Sequence, residues 1–219
     1  MSMQQVYGAE HVYLEGVQPP SGLGAVGPVV HIAPGCEIYA EGDDADLFYK
    51  VVSGVVRICK FLSDGRRQIE SFHAEGEILG LEAADAHRFT AEAVSDCTLI
   101  AYRRRNLASR AAADESVARE LFAHAMDSLA RAQDHLLVLG RRSAMEKLAS
   151  FLAEWADAAP DHRRFTLAMT RQDIADYLGL TIETVSRTFT QLEKDAVISI
   201  PTPREIRLTD PAALRRLNA

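Results

Sequence analysis

The chain has 219 residues, 47% hydrophobic and 25% charged, which suits two domains of roughly 100 residues each and excludes a disordered chain. No apolar run nears the ~18 residues of a membrane-spanning helix, and the first 13 residues lack the basic-then-apolar order of an export signal, so a cytoplasmic protein is expected. The net charge of −7 speaks against a nucleic-acid partner at first sight, yet residues 143 to 219 carry 10 Lys and Arg against 11 Asp and Glu, whereas residues 1 to 142 carry 14 against 20, so the acidity lies mostly outside the C-terminal third.

In chain order, residues 1 to 27 form an N-terminal segment. Between residues 29 and 102, short runs rich in Val, Ile, Phe and Tyr are punctuated by Gly35, Gly42, Gly54, Gly65, Gly76 and Gly80, the spacing of short strands and turns. This predicts a β sandwich or jelly roll over residues 28 to 105. Inside it, the run from Val55 to Phe61 alternates Arg57 and Lys60 with apolar residues. Ser63-Asp64-Gly65 then supplies a turn before Gln68 to Phe72, which predicts a hairpin.

No Gly or Pro occurs between Arg103 and Leu139, which predicts one long helical stretch. Ala118, Phe122, Ala125, Leu129, Ala132, Leu136 and Leu139 recur at alternating spacings of four and three, the seam of a coiled coil or a stripe packed on the helix's own domain. Residues 106 to 141 form this long helix and a hinge, a dimerisation helix on the first of these readings, with the interruption at Gly140. Ser143 and Glu146 form a capping box that opens a new helix, to about Ala156.

Residues 142 to 219 read as helices followed by strands. Residues 159 to 164 form a polar loop. Thr170 caps a helix to Leu178, Gly179 and Leu180 make a turn, and Thr181 caps a helix to about Lys194. Residues 197 to 200 and 206 to 208 look like a two-stranded wing. Two helices joined by a short turn containing Gly are a helix-turn-helix. At about 3.6 residues per turn, Val185, Phe189 and Leu192 share the inner face of the second helix, while Glu183, Ser186, Arg187, Thr190 and Lys194 share the outer one. A carboxylate, a hydroxyl and a guanidinium suit cytosine N4, either edge of a base pair, and guanine O6/N7. Glu183 and Arg187 also stand one turn apart, where they can pair. Thr170, Arg171, Gln172, Thr181 and Thr184 lie at the helix starts, where phosphates approach.

The order of elements, and the segment Arg171-Gln172-Asp173-Ile174-Ala175-Asp176-Tyr177-Leu178-Gly179-Leu180-Thr181-Ile182-Glu183-Thr184-Val185-Ser186-Arg187 in particular, resembles the Crp/FNR superfamily of bacterial regulators. The resemblance covers nearly the whole chain. Glu183, Ser186 and Arg187 match the base-reading set of the FNR branch, implying a TTGA-like half-site bound by a homodimer; the cyclic-AMP receptor branch has Arg where this chain has Ile182. Gly80-Leu81-Glu82 and the segment from His87 to Ala93 look most like the FixK subgroup, which governs microaerobic respiration and nitrogen-fixation genes. Thr188 departs from the family's usual aliphatic residue. The resemblance also implies RNA polymerase as a partner, touched by residues 157 to 164, with His162, Arg163 and Arg164 foremost, and by the hairpin at Ser63 to Arg66.

No cofactor is expected. Cyclic nucleotide would require Glu where Leu81 stands, and an Arg followed by a small hydroxyl residue where Arg88 precedes Phe89. The iron-sulfur sensor of the FNR type needs an N-terminal cysteine group, and the first 35 residues contain none. His31, His73, His87 and Cys59 are isolated, weak haem candidates. The paired His and Glu motifs of metal-dependent enzymes sharing this fold class are missing, so no enzyme is expected. Cys59 and Cys97 read as core residues, and Cys36 as exposed. A small-molecule or haem-gated sensor remains the alternative.

Overall fold

The computed structural model describes Leu23 and residues 27 to 141 and 143 to 217. The expected N-terminal segment falls almost wholly outside the described residues. Eight strands form the first part: β1 (Val29–Ile32), β2 (Glu37–Tyr39), β3 (Leu47–Ser53), β4 (Val56–Phe61), β5 (Arg67–His73), β6 (Ile78–Leu79), β7 (Thr90–Ala93) and β8 (Cys97–Arg103). They make two antiparallel four-stranded sheets, ordered β1-β8-β3-β6 and β2-β7-β4-β5, the expected jelly roll. Tyr49, Val51, Val56, Ile58, Ala91 and Leu99 are buried between the sheets, and removing this apolar surface from water drives their closure. The hairpin from β4 to β5 turns at Asp64, whose carboxylate accepts from the Arg66 amide at 3.0 Å. Gly54 is obligatory, with φ of +92° and the Asp96 carbonyl where a Cβ would stand.

The long helix departs from expectation. A 3-10 turn (Arg104–Asn106) leads into α1 (Leu107–Ala113), and Asp114 is extended before α2 (Glu115–Arg141) begins. Asp114 causes the break: its carboxylate accepts from the Ser116 amide at 2.8 Å and hydroxyl at 2.6 Å, so it caps a new helix without Gly or Pro. Glu120 accepts from the Leu23 amide and from Lys50 Nζ, each at 2.7 Å, which pins the start of α2 beside the jelly roll. At its other end α2 runs through Gly140, so the helix is not interrupted there.

The chain divides into two compact units within α2, between Leu129 and Ala130. The second unit continues with α3 (Ala144–Ala158), β9 (Arg164–Thr166), α4 (Arg171–Leu178), α5 (Ile182–Lys194), β10 (Ile198–Thr202), β11 (Glu205–Leu208) and α6 (Pro211–Leu217). The Ser143 capping box is present, with the Glu146 carboxylate 2.6 Å from the Ser143 amide. The wing is a three-stranded sheet, ordered β10-β11-β9, and not two-stranded: the end of the expected polar loop pairs with β11, Phe165 opposite Ile206. A three-residue strand with one buried side chain is too short for alternation to reveal. The closing helix α6 adds to the expected elements: Asp210 caps it by accepting from the Ala213 amide at 2.9 Å and Pro211 occupies its first turn.

Candidate nucleic-acid interface

The helix-turn-helix is built by caps. Thr170 and Asp173 exchange hydrogen bonds, the Thr170 amide donating to Asp173 at 2.9 Å and the Asp173 amide to Thr170 Oγ1 at 3.1 Å, and Asp173 is 2% exposed. Helix α4 ends at Gly179, which lies in the left-handed region at φ +63° and ψ +41°. Its backbone lets the Leu180 amide return to the Ala175 carbonyl at 3.0 Å. A Cβ at Gly179 would meet only Leu139 Cδ2, at 3.4 Å. Gly179→Ala is therefore expected to cost about 1–2 kcal/mol through conformation alone, and Gly179→Asn less, in chemical denaturation; equal stability of all three proteins would contradict this.

Thr181 starts α5, its Oγ1 accepting from the Thr184 amide at 3.2 Å. The inner face is fully packed, with Val185, Thr188, Phe189 and Leu192 buried. Thr188 is accommodated there because its hydroxyl donates to the Thr184 carbonyl at 2.8 Å, which explains how a polar residue replaces an aliphatic one. Glu183, Ser186, Arg187, Thr190 and Lys194 are exposed. The Glu183 carboxyl is held below its usual range by its own amide at the helix start, then by the Thr181 hydroxyl and Arg187, so it is ionised and acceptor-only. Arg187 donates to Thr184 Oγ1 at 3.4 Å and makes no ion pair with Glu183, so Thr184 is its neighbour in the free protein. Ile182, 38% exposed at the start of this helix, is a large apolar residue beside the polar reading face.

The residues expected at phosphates divide. Thr170 and Thr181 are exposed at their caps, Thr184 is half-buried, and Gln172 is exposed with Nε2 donating to Asp176 at 2.6 Å. Arg171 differs: its guanidinium lies over the Phe189 ring, 3.2 Å from the centroid, and burial pushes its pKa down to about 10. It is half-buried, stays charged at neutral pH and packs against Phe189 of α5.

Along α2 the predicted seam is open. Phe122 is 67% exposed, Leu129 51% and Leu136 68%; Ala118 and Ala125 are exposed, and Ala132 and Leu139 are half-buried. Met126 and Leu137 flank the seam and are also exposed. His162, Arg163 and Arg164 are exposed, and Arg164 pairs with Glu205 across β9 and β11 at 2.6 Å. Arg163, Arg164 and Arg207 share a groove of about 580 Å³ on the wing. Phe61 and Leu62 stand exposed beside the hairpin tip at Ser63 to Arg66.

In the jelly roll, Arg88 is exposed with its guanidinium 5.6 Å from the Phe89 ring, and Leu81 is half-buried. Cys36 is exposed, and Cys59 and Cys97 are buried as expected. Burial and the Glu92 carboxylate push the Cys59 thiol up to about 12, so it carries no thiolate. Among the described residues no three His, Cys, Asp or Glu side chains gather as a metal site, and no helix is long and apolar enough to cross a membrane.

Comparison with known proteins gives two domain matches, a cyclic nucleotide-binding domain over residues 29 to 114 and a Crp-like helix-turn-helix domain over residues 146 to 217. The nitrogen fixation regulation protein FixK of Azorhizobium caulinodans is 47% identical over 94% of this chain and 85% of that protein. The protein of the same name from Rhizobium meliloti is 50% identical over 84% of each chain. The solved structure of FixK2 from Bradyrhizobium japonicum superposes with a TM-score of 0.84 at 42% identity, covering 89% of this chain and 98% of that one. With a jelly roll, a long helix and a capped helix-turn-helix in the matching order, the chain belongs to the Crp/FNR superfamily of DNA-binding transcription regulators, in its FixK-like subgroup.

Proposed function

We propose that this protein is a homodimeric transcription activator of the cytoplasm that binds a palindrome of TTGA-type half-sites and controls genes of microaerobic respiration or nitrogen fixation. The observation that carries the proposal is the outer face of α5, where ionised Glu183, Ser186 and Arg187 are exposed while the opposite face is locked in the core. Arg187 suits guanine O6/N7, Glu183 suits the cytosine N4 across from it, and Ser186 and the exposed Ile182 suit the thymine positions, where apolar contact with the methyl is favourable. Thr181, Thr184, Thr170 and Gln172 border this face and supply backbone contacts. The open seam on α2 supports the dimer, and a dimer supports a two-fold operator with half-sites about one helical turn apart. The names of the relatives support the physiological assignment. Selection from random duplexes is expected to return TTGA-N6-TCAA; recovery of an asymmetric or unrelated sequence would refute the reading.

Activity without an added effector is part of the proposal. The match to a cyclic nucleotide-binding domain concerns the jelly roll, but Leu81 offers no carboxylate to a ribose and Arg88 lies exposed against Phe89.

Contact with RNA polymerase is proposed at His162, Arg163 and Arg164. All three are exposed, and the ion pair of Arg164 with Glu205 is a surface pair that contributes roughly 0–1 kcal/mol to stability. Their simultaneous replacement by alanine is expected to lower transcription severalfold while operator affinity stays unchanged. Equal loss of both would assign the loop to DNA binding or folding.

A further inference from the structure

The C-terminal turns of α2 carry a histidine whose surroundings suit its neutral form. His135 lies face to face with Tyr177 of α4, ring centroids 4.0 Å apart and planes 13° from parallel. Its Nε2 is buried without a hydrogen-bond partner. Phe151 of α3 packs against the same tyrosine at 5.8 Å. A cation that acts on the ring is Lys147 of α3, itself buried, with Nζ donating to the Leu178 carbonyl at 3.0 Å. Beside the stack opens a groove of about 470 Å³, whose charged lining is Arg131 and Asp134 of α2 and Glu154 and Asp157 of α3. Burial, and after it Lys147, hold the His135 pKa below the usual histidine value.

These contacts meet at one end of the reading unit. Tyr177 and Leu178 are the last residues of α4, and Leu139 lies over Gly179, from which the chain turns into α5. An imidazolium in the stack would bury a second N–H without an acceptor and face the Lys147 ammonium. In the adjoining groove the same cation would meet water and carboxylates. The groove would thus offer a protonated ring a second station.

We propose that His135 is a positioning residue for DNA reading: while neutral, its stack on Tyr177 fixes the helix-turn-helix to the end of α2, and on protonation the ring leaves for the groove and α4 loosens. The stacked form binds fewer protons than the open one. The DNA-competent arrangement is therefore full above the ordinary histidine range, near pH 6.5, and is lost as pH falls through that range towards the lowered value. The effect on DNA rests on the operator reading proposed above; the stack does not.

The test uses the full-length protein in two arms. In the first, proton magnetic resonance follows the His135 and Tyr177 rings between about pH 7.5 and 5. His135 is expected to titrate below 6.5, with the Tyr177 ring shifting at the same midpoint; titration at or above 6.5, or an indifferent Tyr177, overturns the proposal. In the second, operator affinity is followed over the same range for the wild type and His135→Phe, which keeps a flat ring and carries no proton. Wild-type affinity should fall about tenfold for each unit separating the stacked and open histidine, and the variant should lack this component. A variant that declines in parallel with the wild type also overturns it. If neither protein binds operator at pH 7.5, the operator reading has failed, and the magnetic resonance arm alone decides whether the switch exists.

Discussion

Replacing Leu129 by glutamate is expected to yield a folded monomer whose operator binding is severely weakened. Leu129 is 51% exposed in the single chain, so a carboxylate there meets water and leaves the fold of the protomer intact. In the proposed dimer the same position is desolvated twice, once from each partner. Complete burial of an exposed leucine contributes about 1.5–3 kcal/mol, and Leu129 has about half of its surface left to bury, so the pair accounts for about 1.5–3 kcal/mol, roughly ten- to a hundredfold in dimer dissociation. Two like charges in an apolar seam add to that loss. The monomer holds one reading helix where the palindrome offers two half-sites, and the affinity gained by joining them disappears. Sedimentation at micromolar concentration reads the outcome, with circular dichroism confirming the fold. An intact dimer in this variant would move the interface away from Ala118, Phe122, Ala125, Leu129, Ala132, Leu136 and Leu139.

The second large effect concerns base reading. Arg187 is exposed near the middle of α5, and its guanidinium can donate two parallel hydrogen bonds to guanine. A bidentate contact of this kind carries about 1–3 kcal/mol of discrimination, so Arg187→Ala should lower affinity roughly ten- to a hundredfold per half-site. It should also flatten the preference for guanine in TTGA, which is the diagnostic sign. Thr184 is unsuitable as the control, because its hydroxyl is the group Arg187 leans on at 3.4 Å. Gln172 is better: it is exposed at the start of α4, away from Arg187 in sequence, and its loss should weaken binding to all sequences alike. A selection in which the arginine variant keeps full preference for guanine would show that another residue reads that base.

Much of this architecture was legible because local chemistry announces itself. Thr170, Thr181 and Ser143 are hydroxyl caps standing before apolar-periodic runs, and Gly179 marks a turn that needs a left-handed residue. The inner and outer faces of α5 follow from periodicity, and the heptad predicted the row that α2 leaves open. The misses have physical causes as well. Asp114 breaks the long helix by side-chain capping within a run of good helix formers, where Gly and Pro are the only breakers a pattern search counts. The pairing of β9 with β11 joins residues about 40 positions apart through segments of three and four residues, and nothing local encodes it. The place of Arg171 at a helix start is local, but the Phe189 ring beneath its guanidinium lies 18 residues away in sequence and leaves no local sign. The stack of His135 on Tyr177 is of the same kind: each residue is unremarkable in its own helix, and only packing brings them together.

The central claim, that this chain alone reads a two-fold TTGA operator, is tested most directly by the affinity of the purified protein for a TTGA-N6-TCAA duplex with no small molecule added. A second duplex with the guanine pair of both half-sites replaced serves as the comparison. Discrimination of about 1–3 kcal/mol per altered pair predicts that the substituted duplex binds roughly thirty- to ten-thousandfold more weakly, at the same salt concentration. Equal affinity for the two duplexes, or binding to the intact operator only after a cyclic nucleotide is supplied, would contradict the account.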